Sequence, residues 1–300
     1  MSRPSLFSPL ILIYLALFAC SGKKSESCLP YDLSKPADVI KLPGRLKEIS
    51  GITFWNTTKL ACVQDEKGVI YFFDVRKDKL KNDLSFGEDK DYEGISNVND
   101  TIYVLCSNGD IFEVDQAGEE GQTTITHKTF LNKRNNCEGL CYDAANRRLL
   151  IACKGRPAKG TAARYLKAIY SFPLATKTLD SVPVYEIDPD SVKNWLQIDE
   201  KKHSGWTDWF TSSVDKEKEF LFEPSELAIN PISGDIYLLS SAGKKMVVLN
   251  TAGDIKCVEK LDPHQFKQPE GIAFTPDGDL YISDEGKEGK ANILHFHQLH

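Results

Sequence analysis

Acidic side chains return at a fixed place in a short recurring pattern. Gln268-Pro-Glu-Gly-Ile272 opens a stretch that continues through Pro276-Asp-Gly-Asp279 to Asp284, and the same opening recurs as Glu48-Ile-Ser-Gly-Ile52, Asp91-Tyr-Glu-Gly-Ile95, Asn136-Cys-Glu-Gly-Leu140 and Glu223-Pro-Ser-Glu-Leu227. Glu93, Glu138 and Glu270 share one register of this pattern, Glu48 stands two residues earlier in its copy, and Glu226 stands one residue later in its own. Carboxylates brought together repel one another unless a cation or protons neutralise them. Oxygen donors without histidine suit a hard cation, calcium ahead of magnesium when the carboxylates sit on a fixed frame. Glu93, Glu138, Glu270, Glu48 and Glu226 are therefore candidate metal ligands, with calcium the expected ion. A single acidic residue at a strand entry has another use, accepting hydrogen bonds from backbone N–H groups of the neighbouring repeat. For any one glutamate both readings stay open here.

The elements that position these residues follow from the repeat. The apolar residue after the glycine position is Ile52, Ile95, Leu140, Leu227 and Ile272, giving spacings of 43, 45, 87 and 45 residues by subtraction. A period near 45 with four short strands per unit is the spacing of a β-propeller blade. Asn108-Gly109 between Thr101–Cys106 and the strand that starts at Ile111 marks a tight hairpin, since that pair accepts positive backbone dihedrals. The fold class expected is all-β, a five-bladed propeller. The last unit runs out of chain after three strands, and residues 38–42 ahead of the first unit supply the fourth, closing the ring without a free edge. The 87-residue gap holds a full third blade and then residues 188–222, which lack strand alternation and Gly-Asp turns; Asp190 to Leu196 reads as a short capped helix. These residues are read as an insertion, a sixth blade being the alternative.

In a propeller the inner-strand entries and the hairpins joining second and third strands meet at one channel mouth. Asp65-Glu66 and Asp284-Glu285 join the glutamates there, and so does a long basic hairpin from Lys154 to Arg164 with Lys167 beyond it. That hairpin can hold a phosphate or carboxylate beside the acidic ring, or remain a solvated loop. His203, Trp206, Trp209 and Phe210 of the insertion are placed to form a lid or to pack against the blade. No Ser-His-Asp or Cys-His constellation emerges. His295 and His297 share one face of the last strand and are read as packing or exposed groups rather than metal ligands. Cys106 and Cys153 stand where other units carry Ser240 and Ser283, as small buried strand residues; Cys137 and Cys141 share a face but lie too far apart on one strand to bridge.

Hydrophobic residues make up 41% of the 300-residue chain and charged residues 27%, enough to bury a sizeable core in one repeat-built domain. The net charge of −6, with no basic stripe, excludes nucleic acid as a partner class. At the N-terminus, Arg3, the apolar run from Leu6 to Ala19 and Leu17-Phe-Ala-Cys20 read as a signal peptide over 1–19 that ends in a lipobox-like sequence, with Cys20 as the lipid attachment site. Residues 20–36 read as a polar tether and 37–300 as the propeller. The expected location is the bacterial cell envelope, lipid-anchored and at the outer membrane because Ser21 is not an aspartate, with the lipid bilayer as one partner.

On the residues quoted for the repeat, the chain resembles the SdiA-regulated, YjiK-like family of bacterial propellers over about residues 37–297, and more distantly NHL-repeat and phytase-type propellers. The resemblance implies a cell-envelope propeller, often suspected of binding calcium and without an established enzymatic activity. Glu226 departs from it, standing where glycine is usual, and so does the insertion. The expected function is a calcium-binding propeller that serves as a binding or sensing scaffold for an envelope protein or a small anionic ligand. The alternatives are a calcium-dependent phosphoester or lactone hydrolase using the basic hairpin, and a metal-independent protein-interaction platform.

Overall fold

The computed structural model describes residues 27–160, 163, 165–203, 220–286 and 289–299. The described residues form five four-stranded antiparallel sheets. Blade 1 is β2 (Ile49–Asn56), β3 (Lys59–Gln64), β4 (Val69–Asp74) and β5 (Lys79–Ser85), and blade 2 is β6 (Tyr92–Val98), β7 (Thr101–Cys106), β8 (Ile111–Asp115) and β9 (Thr123–His127). Blade 3 is β10 (Cys137–Asp143), β11 (Arg148–Cys153), β12 (Lys167–Pro173) and β13 (Tyr185–Ile187), and blade 4 is β14 (Glu226–Ile229), β15 (Ile236–Ser240), β16 (Lys245–Leu249) and β17 (Ile255–Lys260). Blade 5 takes β18 (Pro269–Phe274), β19 (Leu280–Asp284) and β20 (Asn292–Phe296) from the C-terminal end and its outer strand β1 (Asp38–Lys41) from the N-terminal end. Among the described residues there is no sixth blade.

The inner strands touch in the cyclic order β2, β6, β10, β14, β18 and back to β2, so the ring is closed. Alternation within each strand sends successive side chains to opposite neighbours. On β3, Leu60 and Cys62 enter the core shared with blade 5, while Ala61 and Val63 enter the core shared with blade 2. One such apolar layer lies between every pair of blades. Gly109, at a φ of +87°, turns β7 into β8 as the Asn-Gly pair predicts, and its N–H bonds to the Cys106 carbonyl at 2.8 Å.

The insertion contributes α1 (Pro189–His203). Asp188 caps it, its Oδ1 accepting the Asp190 N–H at 2.9 Å, and Pro189 costs nothing in a first turn whose N–H groups have no helical acceptor. Val192 and Leu196 bury against Ile187, Leu249 and Val258, so the helix covers the seam between blades 3 and 4 rather than the channel. Trp206, Trp209, Phe210 and the side chain of His203 lie outside the described residues, as do Arg164, the signal segment and Cys20. Among the described residues no helix is long and apolar enough to cross a membrane.

The boundary at residue 37 moves. Cys28 is disulfide-bonded to Cys257 of β17, and Leu29 and Tyr31 are buried in the core between blades 4 and 5. The Tyr31 hydroxyl donates to the Gly278 carbonyl at 2.6 Å and accepts from Asn230 Nδ2 at 2.8 Å. Residues 28–36 are thus part of the domain, because three apolar side chains among the polar ones (Leu29, Tyr31, Leu33) find a seam to fill.

Candidate functional site

Four of the inner strands carry a one-residue shift at their entry, β2 between Ile49 and Ile52, and in the other three the residue skipped is a glutamate. In β6 the pairing with β7 passes from Tyr92 to Gly94, in β10 the pairing with β11 passes from Cys137 to Gly139, and in β18 the pairing with β19 passes from Pro269 to Gly271. The residue skipped each time is Glu93, Glu138 or Glu270. A β-bulge leaves one residue outside the ladder and re-aims its side chain, which is how three glutamates leave the blade-to-blade alternation. The glycine that follows allows the next inner strand to approach: a Cβ on Gly94 would lie 2.7 Å from Leu140 Cβ, and one on Gly139 would lie 2.9 Å from the Leu227 nitrogen.

Blade 4 pairs without such a shift from Glu226 onward, and Glu226 behaves differently. It is 1% exposed, and its Oε1 accepts the Leu140 N–H of blade 3 at 2.6 Å and its own Leu227 N–H at 3.0 Å. Through Oε1 it takes the second of the two uses open to a glutamate in the sequence, joining blades 3 and 4 beside Gly139, while its Oε2 is buried without a hydrogen-bond partner. Burial pushes its carboxyl well up, opposed by those two N–H groups, with Glu138 and Glu93 pushing the same way as burial.

At the mouth the bulged carboxylates feel one another. Burial, then Glu138, Asp91 and Glu270, push Glu93 up to about 10. Burial and Glu138 push Glu270 up to about 7, with Lys154 and hydrogen bonds to Gln268 and Ser241 opposing. Glu138, 5% exposed, is also raised by burial, against the pull of Lys154. Its Oε1 accepts from Asn136 Nδ2 at 2.6 Å and from Lys154 Nζ at 3.2 Å. Lys154, the first residue of the basic hairpin, is thus the cation among the three; burial works against its charge, but Glu138, Glu270 and Glu93 outweigh burial and hold its pKa above the ordinary value. Lys167 braces it from behind, Nζ donating to the Lys154 carbonyl at 2.6 Å.

A second acidic group stands beside the first. Asp65, in the β3–β4 hairpin, is pushed up to about 6 by burial and by Glu48, Glu66, Glu285 and Asp91, and its Oδ1 is buried without a hydrogen-bond partner. Glu48 therefore belongs to this rim around Asp65, while Glu93, Glu138 and Glu270 form the bulged set. The bulged set is not among the places where three ligand atoms lie within 4.8 Å of one another in the described residues.

Below the bulges the inner strands supply one aliphatic residue each, Ile52, Ile95, Leu140, Leu227 and Ile272, all buried. They line the inner end of a cavity of about 460 Å3 that opens on the opposite face.

Cys137 and Cys141 do not share a face: the bulge at Glu138 reverses the alternation, so Cys137 packs toward blade 2 and Cys141 toward blade 4. Cys137 faces Cys153 across the strand pair, the sulfurs 3.8 Å apart.

The SdiA-regulated family model matches residues 31–287. The chain belongs to the SdiA-regulated family. No curated protein matches it. Among solved structures, this SdiA-regulated protein is similar to the glutaminyl cyclase of Myxococcus xanthus (13% identity, 88% of this chain and 95% of that one, TM-score 0.53). It is also similar to a chain of the mitotic checkpoint complex (10% identity, 100% and 97%, TM-score 0.50) and to a luciferin-regenerating enzyme (14% identity, 87% and 95%, TM-score 0.48). At these identities the likeness is one of fold alone.

Proposed function

We propose that this member of the SdiA-regulated family is an exported, lipid-anchored propeller that binds a divalent cation, calcium in the first instance, at its acidic mouth and works as a binding or sensing scaffold. The observation that carries this reading is the bulge placed at Glu93, Glu138 and Glu270, which aims three carboxylates at one mouth where Lys154 is the cation between them. The donor set fits a hard ion: carboxylate oxygens with Asn136 and Gln268 nearby, and an orphaned buried oxygen on Asp65. Calcium takes six to eight oxygens at about 2.3–2.6 Å, water among them, so the carboxylates would draw together around it and water would complete the shell. When bound it would replace the protons that hold these carboxyls neutral. The Cys28–Cys257 disulfide supports export to an oxidising compartment, and Cys20 is the residue to which the lipid is assigned.

Calcium titration followed by thermal unfolding tests the cation site. The chain is expected to gain stability with calcium concentration, and a Glu93→Gln, Glu138→Gln, Glu270→Gln triple variant is expected to lose that gain. A wild type that shows no calcium response, or a triple variant with the same response, overturns the reading. A second reading rests on Lys154, held charged beside the acidic ring: a phosphoester or lactone hydrolase that anchors an anion there. Release of phosphate or opening of a lactone, abolished by Lys154→Met, is its test.

A further inference from the structure

On the face opposite the acidic mouth, the turn closing the inner hairpin of blade 5 meets the end of the last strand. Asp279 Oδ2 is approached by His295 Nε2 at 3.0 Å and by His297 Nδ1 at 2.8 Å. The three ligand atoms all lie within 4.8 Å of one another. Alternation along β20 and the residue after it puts both imidazoles on one face, and the pairing of Tyr281 with His295 puts Asp279, the residue just ahead of β19, on that face too.

The group is held in place before any ligand arrives. The Asp279 N–H donates to Thr275 Oγ1 at 3.0 Å, Asp279 Oδ1 accepts the Gln298 N–H at 3.1 Å, and the Gly278 carbonyl accepts the Tyr31 hydroxyl. The His295 ring stacks on Tyr281 with centroids 4.4 Å apart. The His295 side chain is 13% exposed and that of His297 67%, so the cluster opens to solvent on one side.

We propose that Asp279, His295 and His297 form a site for a divalent first-row transition metal, zinc in the first instance. Two imidazole nitrogens and a carboxylate oxygen are the donor set that such ions take, in contrast to the oxygen-only mouth. Around a tetrahedral ion with bonds of about 2.0–2.2 Å, ligand atoms stand about 3.3 Å apart. The N···O separations of 3.0 and 2.8 Å therefore need to open by only a few tenths of an ångström. Three protein ligands leave the fourth position to water or to a ligand.

Calorimetric titration of the chelator-stripped full chain with zinc chloride at neutral pH, repeated with cobalt(II) and read by its visible absorption, tests the site. One zinc per chain is expected at this site, with cobalt absorption reporting nitrogen ligands. His297→Gln, at an exposed side chain that packing does not need, and Asp279→Asn are expected to weaken binding by more than about 100-fold, since even partners behind the ligands cost 10–100-fold. The triple glutamine variant at the mouth is expected to bind zinc as the wild type does, which separates this site from the proposed calcium site. Absence of zinc binding in the wild type, or equal binding in both His297→Gln and Asp279→Asn, overturns the proposal.

Discussion

Glu93→Gln, measured in chelator, is predicted to stabilise the protein. The Glu93 carboxyl moves from an ordinary 4.5 to about 10 in the folded ring. Below about pH 4.5 the carboxyl is protonated in both folded and unfolded chains, and folding incurs no penalty from it. As pH rises from there toward 10 the unfolded chain releases this proton and the folded chain keeps it, so stability is progressively lost. At pH 7 the loss covers about 2.5 pH units at 1.36 kcal/mol each, about 3 kcal/mol. Glutamine ionises in neither state, so the variant regains about 3 kcal/mol at pH 7 and almost nothing at pH 4. For a domain of this size that is a rise in Tm of about 6 °C or more. Scanning calorimetry of both proteins from pH 4 to pH 9 measures the difference, and subtraction removes every carboxyl the two share. In excess calcium the difference is expected to narrow or invert, because the ion stabilises the wild type more than a variant that lacks one of the three carboxylates. A variant no more stable than wild type at pH 7 in chelator, or a difference that does not shrink toward pH 4, refutes the reasoning.

Reducing the Cys28–Cys257 disulfide, or replacing either cysteine by serine, opens a closed loop of sequence separation 229 and is expected to cost about 5 kcal/mol by chain entropy, seen as a lower melting temperature. Glu226→Ala strands the buried Leu140 N–H and is expected to cost about 1–3 kcal/mol, whereas Glu226→Gln keeps an acceptor there and is expected to fold as well as wild type; in neither should the amplitude of a calcium response change. Cys20→Ala is expected to move the protein expressed in a bacterial host from the detergent phase to the aqueous phase on temperature-induced partition. Retention in the detergent phase would remove Cys20 as the lipid site.

Ring size and closure were legible because the residues that set them act locally. Asn108-Gly109 turns a chain wherever it occurs, and the return of Ile95, Leu140, Leu227 and Ile272 at multiples near 45 counts blades without any knowledge of packing. The acidic cluster was legible as a register and not as a geometry. Whether Glu138 points along the alternation or out of it depends on the β11 partner it skips, so the bulge, and with it the opposite facing of Cys137 and Cys141, lies beyond single-strand reasoning. The same limit hid Asp279 from His295 and His297: alternation gave the two imidazoles one face, but the carboxylate arrives through strand pairing. The segment from Cys28 to Leu33 was read by its polar residues, while Tyr31 filling a seam between two blades decided its place.

The staple at Cys257 has a further consequence for posture. Seven residues lie between Cys20 and Cys28, eight steps of chain and a leash of about 26–29 Å at full stretch, fastened midway along the outer strand of blade 4. Were a lipid carried on Cys20, the domain would be tethered through the outer strand of blade 4, at the perimeter of the ring rather than at either opening. Neither opening would then have to face the lipid surface for the tether to reach it.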